Sequence, residues 1–402
     1  MVIGIIGAGA SGMAAALAAA ENPEAQVLLF ERQARVGRKL QATGNGRCNL
    51  TNTNPGIYHG EDPAFAVPAL TAFDAERTLA WFRALGLFTV AEESGRVYPY
   101  SDQANSVVDV LRFGLNKPNI ELFTGFEVQK LRKQKQGFSI EGTDRQFTCD
   151  KVIVACGGLA GTKLGGTMAG YRLLKKLGHS MTPLRPALVQ LKCGWSGVTA
   201  LKGVRASCHA RILRNGDVFA ESRGELQFTE FGLSGPVIFE ISRDVCCGAG
   251  QWRCLLDFLP QFTKEQVTEE LIRRRSTNLP IEELLTGVLH NRLGRVLTKA
   301  AGIADIRQAA ELTDDQIGAL CEAVKAFEVE LTGPLGMDSA QVTAGGALTA
   351  QFDPDTMESR LIPGLYACGE VLDIDGDCGG YNLQWAWSSG HMAGLHAGKE
   401  RQ

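Results

Sequence analysis

Residues 2–12 read VIGIIGAGASG, an apolar strand that runs into the pattern Gly-x-Gly-x-x-Gly and is followed by an alanine-rich helix. In this pattern Gly7 permits the tight turn, Gly9 lets the backbone approach a pyrophosphate, and Gly12 lets the helix pack close to the strand. A second apolar strand ends at Glu31, about twenty residues further on, where a carboxylate can accept hydrogen bonds from a ribose 2′-hydroxyl. Strand, turn, helix, strand and acid together predict a dinucleotide site.

Residues 38–52, which follow Glu31 closely, form a second segment that is dense in glycine, asparagine, arginine and threonine. Its amides and side chains could line a polar ring system, while Arg38, Lys39 and Arg47 balance the charge of a phosphate or a reduced flavin. The alternative is a solvated loop with Asn-Gly turns, and the position just after Glu31 favours the ligand interpretation. The candidate cofactor contacts in this loop are Arg38, Lys39, Leu40, Thr43, Asn45, Gly46, Cys48 and Asn49.

A third segment lies near the carboxyl end, where a short apolar strand leads into Gly369 and Glu370 and a helix begins near Asn382. Glu370 is placed to meet a ribityl chain, and a helix N-terminus favours the negative charge that flavin N1 and O2 carry after reduction. Asp373, Asp375 and Asp377 lie between these features, and a solvated acidic turn is the open alternative for them. Further candidate contacts in these regions are Ala10, Ser11, Ala155, Cys156, Gly157, Gly369, Glu370, Asp377, Gly380, Asn382 and Gln384.

Three separated ligand-like segments fit an extended dinucleotide lying across a sheet, which favours FAD over NAD as the bound cofactor. Adenosine would then lie at Glu31, the pyrophosphate at Gly7–Gly12, and the ring system near Asn45 and Asn382. A second Gly-x-Gly-x-x-Gly is absent from the sequence. The sequence therefore predicts no dedicated Rossmann site for NAD(P)H, and leaves NAD(P)H open as a transient electron donor.

Composition places the chain among globular proteins with small-molecule substrates. The 402 residues suggest two or three domains, and a net charge of -3 supplies no basic field for nucleic acid or a membrane surface. Eleven cysteines without a regular framework are typical of a reducing cytoplasm. The apolar residues 2–20 lack the positive region of a signal peptide. The six histidines show no metal-ligand spacing, so no metal site is predicted. The oligomeric state is left open.

The pattern along the chain predicts one nucleotide-binding domain interrupted by an insertion. Its parts are residues 1–186 (first part of the FAD-binding domain), 187–260 (β-rich insertion), 261–340 (mostly helical insertion) and 341–402 (return to the FAD-binding domain). Apolar residues at helical spacing predict helices over 75–85, 104–115 and 167–178. Capping-box spacings at Thr263 and Thr313 predict two helix starts in the insertion.

The chain resembles the bacterial aminoacetone-oxidase-like (BaiN-like) NAD(P)/FAD-dependent flavoproteins over nearly its whole length. The resemblance is carried by TGNGRCNLTN (43–52), GEVLD (369–373), GGYNLQWA (379–386), RPALV (185–189), TEFGLSGP (229–236) and VTAGG (342–346). It implies an α/β fold: a glutathione-reductase-type FAD-binding domain (Rossmann-like, β-β-α) with an inserted β-rich subdomain and a helical subdomain. One departure is Cys156, where the family more often has threonine, and this could alter packing beside the pyrophosphate.

The same resemblance implies flavin contacts at matching positions of this chain. These positions are Ser11, Glu31, Arg32, Lys39, Asn45, Val128, Glu370, Asn382 and Leu383.

The leading functional prediction is an FAD-dependent oxidoreductase that passes a hydride between NAD(P)H and an organic acceptor, such as an activated C=C bond. In this hypothesis Arg47 polarises an acceptor carbonyl and Tyr381 donates a proton. One alternative is a flavin amine oxidase that uses O₂. Another is a flavin-binding or RNA-modification-related protein whose insertion recruits a partner, although the only dense basic cluster, 273–275, is typical of an exposed helix face.

Overall fold

The structure is a computed structural model that describes residues 1–400. The chain divides into two compact units, one formed by Met1–Pro186 with the chain from Gln341 onward, the other by Ala187–Ala340. The second unit is therefore inserted, in sequence, between two parts of the first. Within residues 1–400, none of the helices combines the length and apolar composition needed to cross a lipid bilayer.

The chain before the insertion supplies most elements of the first unit. Its strands are β1 (Val2–Ile6), β2 (Gln26–Glu31), β3 (Thr51–Asn52), β4 (Tyr58–His59), β5 (Thr89–Ala91), β6 (Arg96–Pro99), β7 (Ile120–Thr124), β8 (Lys130–Lys133), β9 (Phe138–Glu141), β10 (Gln146–Cys149), β11 (Lys151–Val154) and β12 (Arg185–Ala187). Its α-helices are α1 (Ala10–Ala19), α2 (Arg38–Ala42), α3 (Val67–Ala72), α4 (Ala75–Ala84), α5 (Ala104–Gly114) and α6 (Ala169–Lys176).

The inserted unit and the carboxyl-terminal part follow in order. The insertion contains β13 (Leu191–Cys193), β14 (Arg205–Arg214), β15 (Asp217–Phe228), β16 (Gly232–Ser234), β17 (Trp252–Asp257) and β18 (Phe327–Pro334), with helices α7 (Pro236–Cys247), α8 (Lys264–Arg275), α9 (Asn291–Ala300) and α10 (Asp314–Lys325). The chain then returns to the first unit with β19 (Val342–Ala344), β20 (Leu365–Ala367), β21 (Asp375–Gly376) and the long helix α11 (Tyr381–Gly398).

A five-stranded parallel sheet with the order β20-β11-β1-β2-β7 is the centre of the first unit. Its central strands are continuous apolar runs because both faces are covered. Helices α1 and α11 pack against each other and against the sheet. The antiparallel meander of β8, β9 and β10 lies so close to β1 that a Cβ on Gly4 would come within 2.5 Å of the Ile140 side chain. All five strands place their carboxyl ends at one edge, where ligands bind in such sheets.

The inserted unit is a closed barrel with the strand order β13-β16-β15-β14-β17-β18. The last strand, β18, comes from the predicted helical segment and pairs with both β17 and β13. The buried side chains of the barrel and of α8, α9 and α10 form one hydrophobic cluster. The β-rich and helical parts of the insertion thus share a single core, because the final strand is needed to close the barrel.

One helix lies where the sequence pattern is β-rich. Residues 236–247 form α7, which begins after Gly235, a residue with φ of +97°. Pro236 occupies the first turn, where its missing N–H costs no hydrogen bond. This stretch lies inside the segment 187–260 that was predicted to be β-rich, but its buried positions Val237, Ile238, Ile241 and Val245 recur at helical spacing. Their burial against the barrel overrides the local β propensity.

The other helix predictions are confirmed within one or two residues. The helices α4, α5 and α6 occupy the predicted stretches, and α8 and α10 begin directly after Thr263 and Thr313. Each threonine side chain accepts a hydrogen bond from the backbone N–H three residues on. The glutamine side chain at that position accepts one from the backbone N–H of the threonine, so both capping boxes are present.

Candidate functional site

The three glycines of the first turn differ in what surrounds them, and each surrounding matches its predicted role. Gly7 has φ of +107°, and a Cβ there would lie 2.5 Å from the carbonyl oxygen of Ala155. A Cβ on Gly12 would lie 1.8 Å from the carbonyl oxygen of Gly7, so α1 can pack this close to β1 only without a side chain. Beyond its chain neighbours, a Cβ on Gly9 would meet no heavy atom of residues 1–400 within 4 Å. The open space lies where a pyrophosphate would approach the N-terminus of α1.

Glu31 lies beside this turn at the carboxyl end of β2. Its carboxylate accepts hydrogen bonds from the backbone N–H of Ala8 at 2.9 Å and of Gln33 at 2.8 Å. Arg32 donates to the Gly165 carbonyl at 2.8 Å and Arg38 donates to the Gln33 side chain at 3.0 Å. The hydrogen bond from Ala8, which lies between Gly7 and Gly9, therefore holds the predicted ribose acid against the glycine turn.

Glu370 connects three distant segments of the first unit. One carboxylate oxygen pairs with the Lys39 ammonium at 2.7 Å, and the other accepts the Thr343 N–H at 2.8 Å. A Cβ on Gly158 would lie 2.5 Å from the same carboxylate and 2.4 Å from the Thr343 hydroxyl. The sequence predicted Lys39 and Glu370 as cofactor contacts, but not as partners of each other. It gave no role to Thr343, although Thr343 lies in the VTAGG motif.

Replacing Glu370 by glutamine should lower the free energy of unfolding by about 1–3 kcal/mol, because Lys39 loses its partly buried partner while the Thr343 N–H keeps an acceptor. Urea unfolding of the purified protein measures this. The matched control is Glu322→Gln, which breaks the exposed pair with Lys264 and should cost less than about 1 kcal/mol. Equal losses in the two variants would contradict a structural role for the Glu370 connection.

The strand ends next to the glycine turn carry two further predicted segments. Gly369 has φ of +74°, and a Cβ there would lie 2.5 Å from the Ser11 hydroxyl. Cys156 donates from its thiol to the Ile6 carbonyl at 3.4 Å, and burial raises the pKa of this thiol to about 12. The predicted contact of Cys156 with the cofactor stays a prediction. Gly157 has φ of +68°, and a Cβ there would meet no heavy atom of the described chain within 4 Å beyond its neighbours. It lies, with Ala155, just after the end of β11.

The loop Thr43–Asn49 has an unusual backbone. Positive φ values occur at Gly44, Asn45, Gly46 and Cys48, two of which are not glycine. Two non-glycine residues with positive φ, Asn45 and Cys48, within four positions are a reason to expect function at this loop. Cys48 itself is fully buried, and burial raises the pKa of its thiol to about 12, so any contact with a cofactor would come from its backbone.

Asn49 provides an independent test of whether a polar group fits here. Its side-chain oxygen is buried and has no hydrogen-bond partner among the described residues. The same oxygen would lie 2.9 Å from a Cβ on Gly380, the residue that caps the N-terminus of α11. A buried acceptor without a partner beside a helix N-terminus fits a polar ring system with N–H donors.

The guanidinium of Arg47, one of two predicted catalytic groups, is already engaged. It pairs with Glu92 at 3.0 Å, donates to Asp102, and lies over the ring of Tyr98 with 3.9 Å to the centroid. The hydrogen bonds that Arg47 donates to Asp102 and Glu92 raise the pKa of Arg47. These contacts join the loop to β6. Sequence reasoning missed Tyr98, because RVYP carries no distinctive motif.

The hydroxyl of Tyr381, the other predicted catalytic group, donates to the Pro55 carbonyl at 3.3 Å. Its ring lies edge-on to Tyr58 with centroids 6.3 Å apart, and it fills the space where Gly56 has no side chain. Tyr381 therefore has a packing role at the start of α11, and its part in proton donation stays a prediction.

The first turn of α11 is held by two amide side chains. Asn382 accepts the Gly376 N–H at 2.9 Å and donates back to the Gly376 carbonyl at 2.7 Å. Gln384 is buried, accepts from the Thr51 hydroxyl at 2.6 Å, and donates to Thr78 at 2.9 Å. These partners inside the protein occupy the Gln384 side chain, and the predicted contact of Gln384 with the cofactor stays a prediction. Leu383 is packed against the core, and Val128 is buried beyond the end of β7.

The acidic residues before α11 differ from a solvated turn. Asp373 and Asp375 are buried, and burial raises the pKa of Asp373. Asp377 instead pairs with His59, with 2.8 Å between its carboxylate and the imidazole Nε2. The alternative of a solvated acidic turn is therefore wrong for Asp373 and Asp375. Sequence reasoning missed His59, which is far from Asp377 in the chain.

A parallel sheet with a glycine turn after β1 and an acid after β2 defines a dinucleotide-binding protein of the Rossmann type. The particular family is given by comparison with known proteins. The family model described as HI0933-like protein Rossmann domain matches residues 1–396, and the chain belongs to this family.

Two curated relatives and one solved structure show what the chain resembles. It is 41% identical to the 3-dehydro-bile acid delta(4,6)-reductase of Clostridium scindens, over 98% of both chains. It is 32% identical to the ribosomal RNA dihydrouridine synthase of Escherichia coli, over 96% of this chain and 95% of that protein. The structure of 3-ketosteroid delta1-dehydrogenase from Sterolibacterium denitrificans covers 98% of this chain and 99% of its own at 13% identity with a TM-score of 0.50, a likeness of fold alone.

The predictions of this family, of a Rossmann-like α/β fold of the FAD-binding type and of an oxidoreductase enzyme are thereby confirmed. The contacts of individual residues with the cofactor stay predictions.

Proposed function

We propose that the chain is an FAD-dependent reductase that adds hydrogen across a C=C bond conjugated to a carbonyl group. The observation that carries this proposal is the chemistry shared by the names of two full-length relatives. A delta(4,6)-reductase of 3-dehydro-bile acids removes double bonds conjugated to a 3-oxo group. A dihydrouridine synthase saturates the uracil C5=C6 bond, which is conjugated to the C4 carbonyl. One type of bond is reduced in both.

The residues of the first unit fit a bound FAD in three places. Glu31 would accept the ribose hydroxyls, and the open face of Gly9 and the α1 N-terminus would hold the pyrophosphate. The α11 N-terminus and the unpartnered Asn49 oxygen would face the flavin ring. When bound, FAD supplies the capacity to take a hydride from a reduced nicotinamide and pass it to carbon.

A small molecule is the proposed substrate, because the three arginines of the densest basic cluster are all paired with neighbouring carboxylates, which offset part of their charge. Arg273 and Arg274 both pair with Glu270 at 2.7 Å, and Arg275 pairs with Asp314 at 2.6 Å. Arginines engaged in this way have less charge to offer to phosphates. The relationship to a ribosomal RNA enzyme at 32% identity nevertheless makes uridine in RNA the second candidate.

Anaerobic mixing of the flavin-loaded protein with reductants and acceptors tests the proposal. We expect NADH or NADPH to bleach the flavin absorbance within minutes, and a 3-oxo-Δ4 bile acid to restore it. Failure of both nicotinamides to bleach the flavin would contradict the nicotinamide-dependent reductase. Restoration by a uridine-containing ribosomal RNA transcript, but not by the steroid, would favour the second candidate. Flavin reduction by an amine, with peroxide release in air, would instead indicate an oxidase.

A further inference from the structure

His59 and Asp377 form a pair of ionisable side chains that none of the sequence motifs connects. The two atoms, imidazole Nε2 and carboxylate Oδ1, are 2.8 Å apart, and the side chains are 27% and 35% exposed, so solvent reaches the pair without surrounding it. A carboxylate at one ring nitrogen orients an imidazole and leaves the other nitrogen to act. The pair therefore has the form of an acid-base group.

The backbone on both sides of this pair is fixed. His59 in β4 lies opposite Asp375 in β21, in an antiparallel two-residue register. The Asp377 N–H donates to the Ile57 carbonyl at 3.1 Å, and the Asp377 carbonyl accepts from the Asn382 side chain at 3.3 Å. Asn382 is the second residue of α11. The pair is thus tied to the first turn of the helix that is proposed to face the flavin ring.

The other titratable groups near the pair are already occupied. Tyr58 donates to the Tyr381 carbonyl at 3.2 Å, and burial raises its pKa further above the ordinary range for tyrosine. Asp373 accepts the Glu61 N–H at 3.1 Å on the far side of Gly60, and Asp375 is buried. Among the described side chains of this corner, the imidazole is the group whose ordinary pKa lies nearest neutrality.

We propose that His59, oriented by Asp377, donates the proton that completes the reduction of the C=C bond. This inference rests on the proposed function. Reduction of a conjugated C=C bond adds one hydride and one proton to two carbons. The hydride originates from reduced nicotinamide, the co-reactant named above, and is added at the β carbon. The imidazolium gives its proton to the α carbon, and water then reprotonates the imidazole.

The test separates the two halves of the reaction by stopped-flow absorbance of the flavin-loaded enzyme. In His59→Gln, reoxidation of the reduced enzyme by a 3-oxo-Δ4 bile acid should slow by about 100-fold or more, the usual contribution of a general acid. Flavin reduction by the nicotinamide should keep its wild-type rate, since it places no proton on carbon. In wild type the reoxidation rate should fall as the pH rises, because the imidazolium loses the proton that it donates, and in His59→Gln this pH dependence should be absent.

A matched control comes from the inserted barrel, where His209 pairs with Glu221 at 3.1 Å. His209→Gln should leave both half-reactions unchanged. A readout independent of turnover is histidine NMR of the oxidised enzyme, with the His59 signal identified by its loss in His59→Gln. In Asp377→Asn this signal should move to a different chemical shift, because the imidazole loses the carboxylate that contacts its Nε2.

Wild-type reoxidation in His59→Gln would overturn the role of His59. An unchanged His59 signal in Asp377→Asn would overturn the orientation by Asp377. Failure of the wild-type enzyme itself to be reoxidised by the steroid would contradict the proposed function, a different result from either of these.

Discussion

Gly12→Ala is expected to yield a protein that is destabilised and colourless, whereas Gly9→Ala is expected to fold normally and lose only its affinity for flavin. The two glycines are three residues apart in one turn, and both belong to the dinucleotide pattern. What separates them is the space around each Cα, which is filled by protein at Gly12 and open at Gly9.

The clash at Gly12 is with backbone and cannot be relieved by a side-chain rotation. An added methyl would lie 1.8 Å from the carbonyl oxygen of Gly7, so α1 would have to move away from β1. Overpacking of this kind costs about 1–3 kcal/mol and occasionally more, and a rigid backbone neighbour places Gly12→Ala at the upper end. Displacement of α1 also moves its N-terminal amides away from the pyrophosphate, so the flavin should be lost with the stability.

Gly9 already has φ of -82° and ψ of -164°, which alanine adopts without strain. Its added methyl would occupy the space assigned to the pyrophosphate, so the dissociation constant for FAD should rise by about 10–100-fold, a loss of roughly 1.4–2.8 kcal/mol. The free energy of unfolding of the flavin-free protein should remain that of wild type.

Both variants are measured by urea unfolding of the flavin-free protein and by fluorescence titration with FAD. Gly318→Ala is the control, since Gly318 lies inside α10 and a methyl there meets no heavy atom of the described chain within 4 Å beyond its own helix and neighbours. It should stabilise by about 0.5–1 kcal/mol through helix propensity. Wild-type flavin affinity in Gly9→Ala would place the pyrophosphate elsewhere.

The part of the fold that could be read from the sequence is the part written in local patterns. The strand, the glycine turn and Glu31 lie within one βαβ unit, and the capping boxes at Thr263 and Thr313 involve residues three apart. Closure of the barrel by β18 depends on pairing with β13, more than 130 residues earlier, and no local pattern encodes such a partner. The sequence did not predict α7, because the burial of its apolar side chains, and not the helix propensity of its residues, makes this segment helical.

The candidate site divides in the same way. Glycines with a single physical role, such as Gly7 and Gly12, were identified because their spacing is characteristic. The two carboxylates that pair with Arg47 were not identified, because Glu92 and Asp102 come close to Arg47 only in the folded chain. The same holds for His59, whose partner Asp377 is more than 300 residues away. Sequence spacing located the segments of the site, while the choice of side chains that meet each other is a property of the tertiary structure.

A second large effect is expected at the crossing of α1 and α11, where Gly394→Ala should destabilise the protein and weaken flavin binding together. A Cβ on Gly394 would lie 2.1 Å from the Ala15 carbonyl oxygen. Alanine gains about 1 kcal/mol in helix propensity, but the clash with backbone should exceed this gain and leave a net loss of about 1–3 kcal/mol.

The crossing follows a regular pattern of small residues. Gly390, Gly394 and Gly398 recur every four residues along α11, and a Cβ on the first and last would lie 2.3 Å from the Ser11 carbonyl and 3.1 Å from the Ala19 carbonyl. The C-terminal half of α11 therefore packs along α1, and the two helices approach most closely at Gly394 and Gly390. Gly398→Ala is the matched control in the same stripe, and it should change the free energy of unfolding by less than about 1 kcal/mol because its neighbour can move by a few tenths of an ångström.

The close approach matters for the site because both helices point their N-termini at the proposed cofactor. If the α1 terminus holds the pyrophosphate and the α11 terminus faces the ring, as proposed, the helix crossing sets the distance between the two. Urea unfolding gives the stability of each variant, and fluorescence titration gives its FAD affinity. If Gly394→Ala lost stability but bound FAD as tightly as wild type, the spacing of the two helices would not determine the site, and the sheet edge alone would have to position the cofactor.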